Sequence, residues 1–241
     1  MGDLLLLAVD PEQRRLRVAD KVGYAVRGAE LVELAIAERV VVTGGRIQVV
    51  NSAWTGDQTL DAALAELVGA RKPPRAKNWV QHGGPQARQE QLAVLVEEGT
   101  IRLDRHPVFL IFSKTEYVVA DPGRWRAVKA RVDAIAAGTT PPSARERALV
   151  GLIGACGLSG KLYPGAANAR LRKRLKEVSR RDQATAQVLN ATDAAIRSAT
   201  DAAVDAAVDA AVDAAVHAAV DATHHAATAG HDGGGGGGGH H

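Results

Sequence analysis

Apolar and polar positions along this chain follow the helical period far more often than the alternation of a strand. From Val22 to Glu38 the apolar positions Val22, Val26, Leu31, Leu34 and Ala35 recur at helical spacing, which predicts a helix. Asp57 reads as the N-cap of a second helix over Gln58–Val68, with Leu60, Leu64 and Leu67 on one face. A short helix around Ala76–Gln81 carries Trp79, His82-Gly83-Gly84-Pro85 reads as a break, and Gln86–Glu98 makes another amphipathic helix ending at Gly99. Three long helices are predicted near Gly123–Ala137, Ala144–Gly157 and Ala166–Arg180. Strand signals are fewer. Val40–Val42 and Arg46–Val50 flank Thr43-Gly44-Gly45, a hairpin signal, and the strand-like runs Ile101–Leu103 and Val108–Phe112 flank Asp104-Arg105-His106-Pro107. Leu4–Val9 opens the domain as a buried segment that Asp10-Pro11 breaks.

After about Asn190 the pattern changes. Asp-Ala-Ala-Val repeats run from Asp201 to Val216, and the chain ends in Gly233–Gly239 and two histidines. Asp at i, i+4 stacks like charges, and a four-residue step turns the Val stripe by about 40° per repeat against the helical period, so no straight packing seam persists. The expected organisation is one folded domain over residues 1–195 and a low-complexity tail over 196–241.

Charge divides at the same place. The net charge of +3 combines +9 over residues 1–190 with −6 over residues 191–241. A basic folded part suits a polyanionic partner, either a membrane surface or nucleic acid, and an Arg-rich solvated surface is the plain alternative. Cys156 is the one cysteine, which excludes an intramolecular disulfide and suits a reducing cytosol. No run approaches the roughly 20 apolar residues of a membrane span, and Leu4–Val9 is too short for a secretory signal, so any membrane contact is expected to be peripheral.

Catalytic chemistry finds little support. Residues 151–162 fall short of a phosphate loop, with Ala155 where the first glycine belongs and Leu162 where the magnesium-binding hydroxyl belongs. Cys156 sits among apolar residues with no activating base and reads as a buried thiol. His82 and His106 are isolated, and the tail histidines lack the fixed spacing of a metal site. The expectation is a binding protein, not an enzyme, with no metal and no cofactor. Two features remain: the basic set Arg14, Arg15, Arg17, Arg27, Arg71, Lys72, Arg75, Lys77 and Arg88, and the apolar run Val108-Phe109-Leu110-Ile111-Phe112. A basic face beside an exposed apolar hairpin is what an interfacial binder needs; ordinary core packing of Phe109 and Phe112 is the alternative.

Over about residues 3–200 the chain resembles the Golgi phosphoprotein 3 (GPP34) family. The motifs that carry the resemblance occur in family order: Leu4–Val9, Arg27-Gly28-Ala29-Glu30-Leu31-Val32-Glu33-Leu34-Ala35, Thr55-Gly56-Asp57 with Leu60-Asp61 and Ala63-Leu64, Asn78-Trp79-Val80, Leu95-Val96-Glu97-Glu98-Gly99, and Phe109-Leu110-Ile111-Phe112. The resemblance implies a mainly α fold, a central helical bundle ringed by amphipathic helices with a protruding β-hairpin. It implies a peripheral membrane protein binding phosphatidylinositol 4-phosphate-like head groups on an anionic phospholipid surface, and a hairpin (here Phe109, Leu110 and Phe112) for membrane contact and homo-oligomerisation. It also implies an adaptor with protein clients. Arg27 and Arg88 match two head-group arginines of the family; a third falls on Pro85 and the pocket tryptophan on Val18. The Ala/Arg/Gly-rich, Lys-poor composition suggests a high-GC bacterium, possessing no Golgi, so the eukaryotic sorting role does not carry over.

Two readings of other classes compete. One is a protein–protein adaptor with no lipid ligand. The other is a winged-helix-like nucleic-acid binder with Gln86–Glu98 as recognition helix and Arg88, Arg102 and Arg105 on phosphates. Lipid binding needs Arg27, Arg88 and the hairpin tip on one surface, whereas DNA binding needs Gln86–Glu98 exposed on a basic face.

Overall fold

The computed structural model describes residues 1–108, 112–179 and 188–198, apart from the side chains of Val108, Phe112, Ser113 and Ser179. The chain divides into two compact units, Met1–Arg197 and Ser198–His241; the repeats and the Gly/His tail lie outside the described residues. The first unit is mainly helical, as the periodicity predicts. Its helices are α1 (Gly2–Ala8), α2 (Ala19–Ile36), α3 (Gln58–Val68), α4 (Ala76–Glu97), α5 (Pro122–Ala137), α6 (Ala144–Ala155), α7 (Leu158–Leu162), α8 (Ala169–Ser179) and a further helix, α9, over residues 188–198. Among the described residues strands occur as three antiparallel pairs: β1 (Val9–Asp10) with β2 (Arg15–Leu16), β3 (Val40–Thr43) with β4 (Arg46–Val49), and β5 (Ile101–Val108) with β6 (Phe112–Val119).

The opening apolar run is the centre of the core. Leu4 to Val9 are all 1% exposed or less, and α1 packs against α2, α4, α5 and α6. A run of consecutive leucines buries on every side only when neighbours surround it, which is why a helix of seven residues is stable here. α2 is the second central element, burying Val22, Val26, Leu31 and Leu34 as the spacing predicts, together with Gly23, Arg27 and Glu30. It begins three residues before the predicted Val22. Asp57 caps α3 as expected, its carboxylate accepting from the Thr59 and Leu60 N–H groups. Gly44 and Gly45, at φ +58° and +72°, make the tight turn between β3 and β4.

The structure departs from the sequence reading at two places. His82-Gly83-Gly84-Pro85 is not a break: α4 runs through it without interruption. Pro85 removes the N–H that would bond the Gln81 carbonyl, and the glycines are individually poor helix formers. Tertiary packing overrides both, because the glycines lie against α2. A Cβ on Gly23 would stand 2.5 Å from the Gly84 carbonyl oxygen, and one on Gly84 would stand 2.4 Å from Tyr24 Cδ1. The second departure is the late hairpin. Asp104–Pro107 are not its turn but part of β5, paired from Ile101↔Val119 to Val108↔Phe112. Residues 109–111, between the two strands, lie outside the described residues, Phe109 and Leu110 among them, and Phe112 is described in its backbone only.

The close α2–α4 approach generates a paired prediction for denaturation measurements. Gly23→Ala should destabilise by about 1–3 kcal/mol, since the new methyl meets backbone that cannot step aside and the clash outweighs the better helix propensity of alanine. Gly154→Ala, in α6 with nothing within 4 Å of the added Cβ among the described residues, should be neutral or stabilising by up to about 1 kcal/mol.

Candidate functional site

Both arginines singled out in the sequence lie on the α2–α4 seam, at different heights. Arg88 stands at the start of α2, where its Nη1 donates to the Ala19 carbonyl at 2.7 Å, and its Cβ is 3.4 Å from where a Cβ on Gly23 would be. That end of α2 has an unusual entry. Val18, the N-cap, holds a left-handed conformation at φ 47°, ψ 39°, costly for a β-branched residue, and no side chain caps the helix. An uncapped start of an 18-residue helix directs N–H groups and the positive end of the helix dipole at solvent, and Arg88 adds a partly exposed guanidinium beside it. Asp20, in the first turn, offsets part of that field.

Arg27 lies two turns further on, about 12 Å along α2 from Ala19, and is 6% exposed. Both terminal nitrogens of its guanidinium are engaged, while the buried Nε has no hydrogen-bond partner among the described residues. Nη1 donates to Glu30 Oε2 at 2.7 Å, Nη2 pairs with Glu66 of α3, and the plane lies 3.6 Å from the centroid of the Trp79 ring on α4. Gly83 makes room for it, since a Cβ there would stand 2.3 Å from Arg27 Nε. One cation thus joins three helices. Glu30 is wholly buried, and burial pushes its carboxyl up to about 7; Arg27 opposes the shift while the Glu90 and Glu66 carboxylates add to it. At neutral pH Glu30 is therefore divided between its acid and carboxylate forms. The sequence reading picked out Arg27 and missed its partners. The i, i+3 spacing of Arg27 and Glu30 was a signal; Glu66 and Trp79 come from elements that only the fold brings together.

The hairpin β5–β6 roots in the core through Ile101 and is joined to the β1–β2 connection by the Tyr117 N–H donating to the Arg14 carbonyl at 2.8 Å. Further out, Arg105, His106, Pro107 and Lys114 are exposed. Glu116 gathers Arg14, His106 and Lys114 at 3.6, 3.8 and 3.0 Å, and Arg102 pairs with Asp104 at 2.8 Å. Arg17 pairs with Asp10 at 3.1 Å. Several members of the basic set are thus neutralised locally.

α4 does not present the surface that a recognition helix needs. Ala87, Gln91 and Leu95 are buried in the bundle, and the solvent side of its second half carries Gln86, Gln89, Glu90 and Glu97, its one cation, Arg88, being turned to the start of α2. Cys156 is buried and its thiol is pushed up to about 11 by desolvation, so it stays protonated at neutral pH. Among the described residues no group of three or more His, Cys, Asp or Glu side chains is placed to hold a metal ion, and no helix is long and apolar enough to cross a membrane.

Comparison with known proteins adds two findings. Residues 1–223 match the family model described as Golgi phosphoprotein 3 (GPP34). Vacuolar protein sorting-associated protein 74 of Eremothecium gossypii is 26% identical over 157 residues, which is 55% of this chain and 47% of that protein. The chain therefore spans about half the length of the curated relative it matches.

The buried Glu30 carboxyl sets a pH dependence of stability. Its folded value of about 7 lies above the 4.5 of a free glutamate, so between those values the folded chain binds more protons than the unfolded one. Stability is then highest at the acid end of the window and falls as pH rises through it. Glu30→Gln should remove this component from a series of urea melts between pH 4.5 and 7.5. An unchanged slope in the variant would show that Glu30 is not its source.

Proposed function

The chain belongs to the Golgi phosphoprotein 3 (GPP34) family, and from that premise we propose that it is a peripheral membrane protein that binds anionic phosphoinositide-type head groups and works as a non-enzymatic adaptor at the cytoplasmic face of a membrane. The observation that carries this reading is Arg88 beside the uncapped first turn of α2. N–H groups, a helix dipole and a guanidinium directed at one place suit a phosphate monoester, with charge-assisted and bidentate contacts available to its oxygens.

In this reading Arg88 meets the phosphate first. Arg27 joins when the anion displaces Glu66, whose side chain is 55% exposed and the weaker-held of the two carboxylates around it. Val18 and Pro85 replace the family's aromatic wall and third cation, so the expected head-group preference is for phosphate charge rather than for one inositol isomer. The apolar residues Phe109, Leu110 and Phe112, which follow β5 in the sequence, are the candidates for membrane insertion in this reading.

The test is co-sedimentation with three vesicle types: neutral phosphatidylcholine, the same with phosphatidylinositol, and the same with phosphatidylinositol 4-phosphate. Binding should follow the 4-phosphate and fall roughly tenfold or more in Arg88→Ala, the weight of one or two charge-assisted hydrogen bonds. Arg27→Gln serves as the second variant, with circular dichroism as a check because it strands Glu30 beside Glu66. Equal binding to every anionic vesicle would reduce the site to a general basic surface. No binding to any of them would overturn the lipid reading in favour of an adaptor without a lipid ligand.

A further inference from the structure

Trp54 is the most exposed large apolar residue among those described, at 81%, followed by Val50 at 57% and Val68 at 52%. It is not loosely tethered. Arg39 donates to its carbonyl at 3.4 Å, the Ala53 N–H donates to Asn51 Oδ1 at 2.9 Å, and the Thr55 N–H and hydroxyl both donate to Asp61 Oδ1, at 2.6 and 2.7 Å. The Thr55 N–H, first among its donors, holds the Asp61 carboxyl below its ordinary range. A tryptophan whose backbone is tied on both sides and whose ring is left in solvent loses little backbone freedom when it is covered.

Beside it lies a helix face of the same character. Trp54, Leu64, Ala65 and Val68 line one hollow of about 170 Å³ with Ser52 and Asp61. The solvent side of α3 shows Gln58, Ala62, Ala65, Glu66 and Val68. Glu66, the charged member of that set, is paired with Arg27. The Ala62, Ala65 and Val68 part of that side is a small apolar strip open to solvent, next to Gln58 and Glu66. The small residues Ala62 and Ala65, one turn apart, allow another helix to approach closely.

The charges at the two ends identify the occupant. Asp57 is exposed at the N-terminal end of α3, and Arg71 and Lys72 are exposed just past its C-terminal end. An acidic start, an apolar middle and a basic end are complementary to their own reverse. We propose that two copies of this chain pair through α3, antiparallel about a two-fold axis. Asp57 of each copy then meets Arg71 and Lys72 of the other, the Trp54 side chains cover the flanks, and the opposed helix dipoles favour the same arrangement. Matching those ends centres the axis between Leu64 and Ala65, and Ala65 is the exposed one of the two.

Sedimentation velocity on the full chain across the micromolar range tests the pairing, with variants on exposed residues only. The wild type should pass from monomer to dimer. Val68→Glu, which buries an unpaired charge in the interface, should weaken the dimer at least about tenfold. Trp54→Ser decides if the first variant proves misfolded by circular dichroism. Ala65→Cys tests the geometry directly: at a residue next to the axis, mild oxidation should link two copies, whereas Gln89→Cys on α4 should not, and the buried Cys156 stays silent. A wild type that is monomeric throughout would overturn the proposal, as would a dimer undiminished in a folded Val68→Glu or Trp54→Ser. Cross-linking at Gln89→Cys but not at Ala65→Cys would do so as well. No arm contains lipid, so the outcome is independent of head-group binding.

Discussion

The contact between the backbones of α2 and α4 is the constraint on which the rest of the unit depends. With the Gly84 carbonyl 2.5 Å from where a side chain on Gly23 would begin, the helices meet at a distance no other residue permits. That approach explains why α4 stays helical through two glycines and a proline. It also fixes what stands on either side of the crossing. One turn past Gly84, Arg88 reaches the first carbonyl of α2; beside Gly83, the Arg27 side chain lies flat between the helices and over Trp79. A longer separation would leave Arg88 without its carbonyl and Arg27 without its aromatic face.

Much of this architecture was legible in the sequence, unevenly and for physical reasons. α3 was readable to the residue because its signals are local: an aspartate cap and three leucines at one helical face. The β3–β4 pair was readable because two consecutive glycines between β-branched runs have few other uses. α4 misled because the information lies in its neighbour. Gly83-Gly84-Pro85 reads locally as punctuation, and only the presence of α2 turns those glycines into packing residues. The late hairpin misled for a related reason: Asp104-Arg105-His106-Pro107 has turn composition, yet antiparallel pairing with Ser113–Glu116 carries it as an extended ladder. The candidate site was half legible. Arg27 and Arg88 were identifiable, but beyond the i, i+3 spacing of Arg27 and Glu30 no sequence signal says that Arg27 is buried and also paired with Glu66, or that Arg88 lies at a helix start.

That difference changes the meaning of the basic balance. A surplus of +9 over residues 1–190 invites the picture of a uniform cationic face. The structure divides the cations instead. Arg14, Arg17, Arg27 and Arg102 are each tied to a carboxylate, while Arg71 and Lys72 stand exposed at the end of α3. Long-range attraction to an anionic surface depends on the exposed charges and is screened within about 8 Å at physiological salt. Arg27 contributes to that attraction hardly at all, since its charge is cancelled within hydrogen-bond distance.

Arg27 nevertheless holds a position that a purely structural cation would not need. Burying a guanidinium with two carboxylates is a weak way to stabilise a bundle, because desolvation of the ions offsets most of their attraction. Apolar residues of equal volume would hold α2, α3 and α4 together at least as well. What the ion cluster adds is an exchangeable partner: Glu30 is sealed inside, whereas Glu66 faces solvent with more than half of its side chain. On the proposed reading an incoming anion would compete with one exposed carboxylate rather than with the buried pair, and protonation of Glu30 near neutrality would leave the guanidinium less fully matched. On that reading the arrangement would set a threshold for anion binding at Arg27, while Arg88, whose Nη1 donates to a backbone carbonyl, would be the ready contact.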